Sequence, residues 1–507
     1  MKTNSKTSFI KNKLLFINIC LFLTSIFLGL IIFHIDIKSI FKKPVCNHCN
    51  VILISLDALG GNHLPCYGYD RNTAQNLCNF AKDNVFFTHA FSNAGWTLPS
   101  NFSIFTSLYP NHHNMTYFDK NKLDPGISTM TEFFKKANYE TIYVGTLNDR
   151  SLPLERGLGR GFETTSDSLS SISLASWDKA ISQLIENNNK KQSTFLSLYT
   201  YWGHYPYVVN DVSEGNNKRI FTNDFYQDIP LDYAGYSKFS KEFMDYILNQ
   251  YENKIKEDNI VDKKNDQNIV DSLKGAKNIT DAEKIYNNLV TDFYIKDINR
   301  SNFYFDKIKK SEGKISYTRS LYDEMIYYLD KKLVMILDLI TKTELANNTI
   351  IIITADHGEE FMEHGSFTHP ADHLYNSTTT VPLIMYIPGI KQRKVDDLVQ
   401  SIDILPTILD LTGIKSSENH FDGTDMTDAL LGHPQAKHND YLISEGPNDS
   451  IRNNRWKLYV SYNDETNNTY ELYDLYNDPL EKNNLAQKEP QIVKSLHVNL
   501  NKIIYKR

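Results

Sequence analysis

Two apolar runs that each end in an aspartate constrain this chain more than any other feature. They are NVILISLD at residues 50–57 and TIIIITAD at 349–356. Neither alternates apolar with polar residues, so neither suits a strand with one wet face. A short continuous apolar run closed by a charge suits a parallel strand buried on both sides. Similar runs are YETIYVG (139–145), TFLSLYT (194–200) and VPLIMYIPG (381–389). Helical patterns lie between them. In SLYDEMIYYLDKKLVMILDLI (320–340), Met325, Tyr328, Leu329, Met335, Ile336 and Leu339 are expected on or near one face, with Lys332 at its edge. Strands alternating with helices predict an α/β fold, a mostly parallel sheet flanked by helices.

The chain has 507 residues, enough for a large core and two domains. Its formal charge of -7 gives no basic face, so no nucleic-acid partner is expected. Residues 14–33, LLFINICLFLTSIFLGLIIF, carry no charge and are long enough to cross a bilayer. Lys2, Lys6, Lys11 and Lys13 precede the run and no small-x-small cleavage site closes it. The expectation is a cytoplasmic N-terminus (1–13), a single-pass transmembrane anchor (14–34), a tether (35–49) and an extracytoplasmic catalytic domain. Cys20 sits in the anchor. Cys46 and Cys49, spaced CNHC, form a local disulfide or stay free. Cys66 and Cys78 pair or stay free, and spacing does not decide.

From about 210 to 312 apolar runs thin out and Asn, Asp, Lys and Tyr dominate, around helical pieces such as FSKEFMDYILNQYENKIKE. This reads as a helical insertion in a catalytic domain spanning 50–436, either a solvated decoration or a wall of the substrate site. From 437 to 507, DYLISEG, RWKLYVSY and TYELYDL read as strands and 490–504 as a helix. A small antiparallel sheet subdomain with one packed helix is expected.

Ligands of open α/β sheets bind beyond the carboxyl ends of the strands. Asp57 and Asp356 both sit at such ends, and Asp356 is followed at once by His357. Two carboxylates and an imidazole at one sheet edge suit a divalent cation. A lone strand-end aspartate would more simply cap the next helix.

NVILISLDALGGNHLPCYGY, WTLPSNFSIFTSLYP, IIIITADHGEEFMEHG, HLYNSTTTVPLIMYIPG, SIDILPTILDLTGI, DGTDMTDALLG and ELYDLYNDPLEKNNL together resemble the sulfatase family of the alkaline phosphatase superfamily, in family order. The resemblance runs from about 50 to 490, outside the insertion. It implies an alkaline-phosphatase-like fold and a metal-dependent ester hydrolase or transferase. It places Thr97 at the nucleophile position, the first of the C/S-x-P-S-R motif at a helix N-terminus. It implies one divalent ion (Ca²⁺, Mn²⁺ or Zn²⁺) on Asp57, Thr97, Asp356 and His357. Metal coordination lowers the pKa of a hydroxyl enough for attack. His204, in GHYPY, matches a histidine that contacts substrate. His373 or His369, just before LY, matches the group that protonates the leaving oxygen, and His373 is preferred narrowly. His112 and His113 are expected to be structural, and Glu359 and Glu360 to lie outside the metal's ligands.

The departures decide the chemistry expected. Threonine cannot form the formylglycine of true sulfatases, because its β-carbon carries a methyl group. The motif arginine is Asn101, and Thr146 and Asn148 stand where a cationic segment belongs. Asn62 replaces a second acid beside Asp57. With those cations gone, phosphoester chemistry through Thr97 is favoured, on an ester carried by an envelope glycan or lipid. The rivals are a true sulfuric ester hydrolase and a catalytically inactive binding protein of the same fold.

Overall fold

The computed structural model describes residues 45–505, apart from 117–120, 147–151, 168–174, 202, 206, 208–220, 222–239, 257–262, 291–292, 417–419, 434–438 and 463–467. The expected anchor, most of the tether, Cys20 and Asn148 lie outside the described residues. Among the described residues no helix is long and apolar enough to cross a membrane.

The strands in chain order are β1 (Asn50–Leu56), β2 (Val85–Phe91), β3 (Glu140–Gly145), β4 (Thr164–Asp167), β5 (Thr194–Thr200), β6 (Thr349–Thr354), β7 (Glu360–Phe361), β8 (Phe367–Thr368), β9 (Leu383–Tyr386), β10 (Arg393–Gln400), β11 (Leu442–Glu445), β12 (Asp449–Arg452), β13 (Trp456–Tyr462) and β14 (Asn468–Asp474). Eight of them form one sheet in the order β10-β2-β9-β6-β1-β5-β3-β4. Its centre is β1 between β5 and β6, both parallel to it. Every residue of β1, β5 and β6 is buried, which is why their sequences show no alternation.

The run at 381–389 corrects the parallel expectation. Its strand β9 is antiparallel to both neighbours, β6 and β2, so the sheet is mixed. An apolar run buried on both faces reads the same in either direction, and only the chain's return path sets the direction. The long helix spans Glu312–Thr341, and its apolar face also differs from the expectation. Met335 and Leu339 are exposed at 67% and 43%, while Leu329, Leu333, Ile336, Leu337 and Ile340 are buried. The latter set follows the i, i+4, i+7 spacing of one face more closely.

Among the described residues, four helices lie between β5 and the long helix: Lys241–Lys256, Lys263–Lys274, Ile279–Leu289 and Phe293–Ile308. They bury a core of their own around Phe243, Ile247, Ile269, Leu273 and Tyr286. Phe305 stacks on Phe367 of β8 at 4.9 Å, tying these helices to the β7–β8 hairpin. At the other end of the chain, β11–β14 form an antiparallel sheet covered by the helix Pro490–Ile504. Leu496, Leu500 and Ile504 pack with Ile443, Ile451 and Leu458, and Tyr109 and Ile402 join them from the larger body. Both cysteine pairs, Cys46–Cys49 and Cys66–Cys78, are disulfides.

Candidate active site

The chain turns at the ends of β1 and β6 set the first two acids. Asp57 follows β1 directly and Asp356 comes two residues after the end of β6, and both are fully buried. His357 comes next and is also fully buried. Its Nε2 lies 3.5 Å from Asp57 Oδ1 and 3.8 Å from Asp356 Oδ2. Its Nδ1 is 2.9 Å from the Gly358 carbonyl, which accepts only from an N–H. The neutral tautomer therefore carries its proton on Nδ1 and turns the Nε2 lone pair toward the acids. Burial holds this imidazole below its ordinary pKa, which favours that neutral form.

Gly358 is required by packing. A β-carbon there would run into the Ser377 carbonyl, while the Gly358 N–H donates to the Thr378 carbonyl at 2.6 Å. This close approach brings the segment 373–379 beside the acids.

Thr97 is the first residue of the helix Thr97–Thr106, and all ten residues of that helix are buried. The N-cap is Trp96, in extended backbone, and no side chain caps the helix. Thr97 is thus not the cap. Its Oγ1 instead lies 3.2 Å from His357 Nε2. The helix is locked by Ser100, whose Oγ meets Ser92 Oγ at 3.0 Å and the Ala94 carbonyl at 3.1 Å. Ser92 in turn donates to the Asp356 carbonyl.

Asn101, in the place of the motif arginine, has a distinct role. Its amide donates to the Thr97 carbonyl at 2.9 Å and to Asp356 Oδ2 at 3.0 Å. The Tyr199 hydroxyl donates to the same oxygen at 3.2 Å, and the Ala58 and His357 N–H groups hold Oδ1 at 3.1 and 2.9 Å. Burial, with Asp356 and Asp57 beside it, holds the Tyr199 phenol well above its ordinary pKa, so it stays a donor.

Asp57, Asp356 and His357 present ligand atoms within 4.8 Å of one another. Two buried carboxylates and an imidazole lone pair at that spacing fit one divalent cation, and the Thr97 hydroxyl is beside them. Asn62 is in the turn Gly61–His63, with its Oδ1 folded against Gly60.

The remaining histidines separate by environment. The His369 ring lies tilted 4.2 Å from the His357 ring and edge-on 4.9 Å from the His204 ring. His204 donates from Nδ1 to the Tyr205 carbonyl. Burial pulls His369 down to about 3. His369 Nδ1 is 2.7 Å from Glu359 Oε2, and Tyr207 donates to the other oxygen of that carboxyl. Burial pushes Glu359 up to about 7. His373 lies further along, with its Nδ1 2.8 Å from Glu360 Oε2 and its side chain 20% exposed. Burial lowers its basicity, but the Glu360 hydrogen bond and charge outweigh this and hold it above the ordinary imidazole value. His112 bridges Asp422 and the Ile504 carbonyl, and His113 meets Ser103, so both are structural as expected. Thr146 lies one residue beyond β3.

Tyr199, Tyr207 and the pairing of each glutamate with its own histidine were not foreseen. The partners of Asp356 lie 157 and 255 residues away in sequence, so no local pattern announces them.

Comparison with known proteins agrees with this geometry. The sulfatase family model matches residues 49–414, and the model for the C-terminal part of N-sulphoglucosamine sulphohydrolase matches 362–506. Arylsulfatase K of Mus musculus is 24% identical over 478 residues, covering 90% of this chain and 79% of that protein. A Δ4,5-hexuronate-2-O-sulfatase of Bacteroides thetaiotaomicron is 33% identical over 183 residues, covering 33% and 36%. Among solved structures, a 2-O GAG sulfatase superposes with a TM-score of 0.62 at 19% identity, covering 92% of each chain. The phosphonate monoester hydrolase of Agrobacterium radiobacter gives 0.62 at 17%, covering 90% and 96%. The family model spans most of the chain and includes Asp57, Thr97, Asp356 and His357, so this chain belongs to the sulfatase family, within the alkaline phosphatase superfamily, and is an ester hydrolase of that family.

Proposed function

We propose that this protein hydrolyses sulfuric esters carried on glycans, with Thr97 as the nucleophile. One observation carries the reading. Thr97 Oγ1, at a helix N-terminus, faces His357 Nε2 at 3.2 Å inside the buried group Asp57–Asp356–His357. The named relatives, arylsulfatase K and a 2-O GAG sulfatase, favour sulfate on a glycan over the phosphate ester expected from sequence.

Held by Asp57, Asp356, His357 and Thr97, a divalent cation would lower the pKa of the Thr97 hydroxyl and offset charge on the ester oxygens. This chain's residues supply the rest. Asn101 and Tyr199 fix Asp356, so the carboxylates keep their places. The first turn of the helix aims its partial positive charge at the reacting group. Thr97 Oγ1 attacks in line and His373 protonates the leaving oxygen. Because threonine gives no aldehyde, the intermediate is an ester on Oγ1, which water then opens. His204 and His369 line the same centre and contact the ester.

A second reading has its own support. Asn101 and Thr146 are neutral where sulfate-binding cations belong, and a phosphonate monoester hydrolase shares the fold. Turnover of paired aryl sulfate and aryl phosphonate esters by residues 44–507, with Ca²⁺, Mn²⁺ or Zn²⁺, separates the two. A higher kcat/KM on the sulfate supports the first, and the reverse order replaces it with the second.

In the same reading, residues 14–34 anchor the chain and the catalytic domain faces an oxidising, extracytoplasmic space. The Cys46–Cys49 and Cys66–Cys78 disulfides support this placement. Added protease should cut the C-terminal region in intact cells, and protection until lysis would contradict it.

A further inference from the structure

We propose that Glu360 is a positioning residue for His373, and that it equips this histidine to protonate the departing oxygen. The inference rests on the ester hydrolysis proposed above.

Glu359 and Glu360 are successive residues, and both are fully buried. Glu359 comes just before β7 and Glu360 opens it. Here one carboxyl meets His369 Nδ1 at 2.7 Å and the other meets His373 Nδ1 at 2.8 Å. The two histidines are thereby sorted. His369 packs against His357 and His204, in the buried centre. His373 keeps part of its ring in solvent, where a leaving group can reach it.

The Glu360 carboxylate has little freedom. Its Oε1 accepts from the His364 and Ser366 N–H groups at 2.9 and 3.0 Å, so Oε2 is left aimed at the imidazole. A buried carboxylate stays charged only when such donors surround it. Accepting from Nδ1–H, it fixes the ring's orientation and leaves Nε2 to carry the transferable proton. The charge of Glu360 favours the imidazolium, the form an acid must start from. The backbone is pinned as well. Thr378 Oγ1 donates to the His373 carbonyl at 2.6 Å. A β-carbon at Gly95 would strike that same carbonyl, so this segment packs against the loop two residues before Thr97.

The step balances. The Thr97 oxygen forms a bond to sulfur, and the bond from sulfur to the leaving oxygen breaks. The electron pair goes to that oxygen, and the Nε2 proton of His373 follows it. In the second half, water attacks sulfur, the bond to Thr97 Oγ1 breaks with its electron pair, the water's proton passes to that oxygen, and His373 regains its Nε2 proton from solvent. The Nδ1 proton stays on His373, donated to Glu360, throughout.

The test is a series of sulfate and phosphonate esters whose leaving groups run from p-nitrophenol to simple alcohols. A good leaving group departs without a proton, and a poor one needs it. Glu360→Gln keeps an acceptor for the two backbone N–H groups but loses the charge. It is expected to change kcat on the p-nitrophenyl ester by less than about threefold and to lower kcat on the alkyl ester by roughly 10- to 100-fold, with KM unchanged. Glu360→Asp should fall between the two. A merely structural role would lower all leaving groups alike, and that parallel loss overturns the proposal. If Glu360→Gln does not fold, Glu360→Asp carries the test, and a parallel loss across the leaving groups there overturns the pairing equally. A wild-type protein inert toward every ester would sink the proposed function itself, whereas an active wild type with a parallel loss sinks this pairing alone.

Discussion

Asn101→Ala is the most informative single substitution, because asparagine here is a departure from the family motif. It removes the hydrogen bond to Asp356 Oδ2 at 3.0 Å and the one to the Thr97 carbonyl at 2.9 Å. A hydrogen bond to a charged group contributes about 1.5–3 kcal/mol and a neutral one about 1 kcal/mol. The loss at Asp356 is bounded by its remaining donors, Tyr199 at 3.2 Å, Ala58 at 3.1 Å and His357 at 2.9 Å. The carboxylate therefore loosens without swinging away. Loss of such a partner to a ligating group costs about 10- to 100-fold in metal affinity. Chelator-stripped protein titrated calorimetrically with Ca²⁺, Mn²⁺ and Zn²⁺ should show that loss, with kcat/KM reduced on the same scale. Folding stability in urea should drop by about 1–2 kcal/mol. Unchanged ion affinity in a folded variant would refute the reasoning, since Asp356 would then not be a ligand or Asn101 would not hold it.

Two other outcomes follow from the same coordinates. Burial, then Asp449, pushes Glu445 up to about 8 from an ordinary 4.5. Its stabilising contribution is therefore full below about 4.5 and is lost as pH rises through about 8, so Glu445→Gln should raise urea stability at pH 8 by about 2–4 kcal/mol and leave it unchanged at pH 4, and equal effects at both would count against it. Replacing residues 240–308 by a short linker should leave the α/β body folded and change the ratio of kcat/KM between large glycan and small aryl esters. An insoluble product would show that the Phe305–Phe367 contact belongs to the core, and an unchanged ratio would make these helices a decoration.

Much of the centre was legible because its determinants are local. Asp57 and Asp356 close continuous apolar strands, and parallel strands deliver such ends to one edge of a sheet. The helix at 490–504 and three of the four C-terminal strands, β11, β13 and β14, were equally plain from periodicity, whereas the short β12 was not. What failed was whatever depends on contacts distant in sequence. VFFTHAF and RKVDDLVQ pair as β2 and β10 but carry Thr, His and Asp, so neither reads as a buried run. The direction of β9 depends on the path from Gly358 back to Thr380, not on its own residues. Asn101 reads as a missing arginine, yet in place it is an amide that needs no counter-charge and bridges a helix to Asp356. Glu359 and Glu360 read only as acids outside the metal's ligands, because nothing local marks the histidines 10 and 13 residues on as their partners.

The central claim is that Thr97 is the attacking group and not a structural threonine. Trp96 occupies the cap position and Thr97 Oγ1 turns to His357, so Thr97 is not the helix cap. The decisive measurement is turnover of Thr97→Ala, on the ester the wild type prefers, with ion content matched. The account predicts a folded protein with kcat/KM lowered by roughly 10³-fold or more, and partial recovery in Thr97→Ser. A folded, ion-loaded Thr97→Ala protein that turns over within about tenfold of wild type would contradict it, because no interaction made only in the transition state would then have been removed.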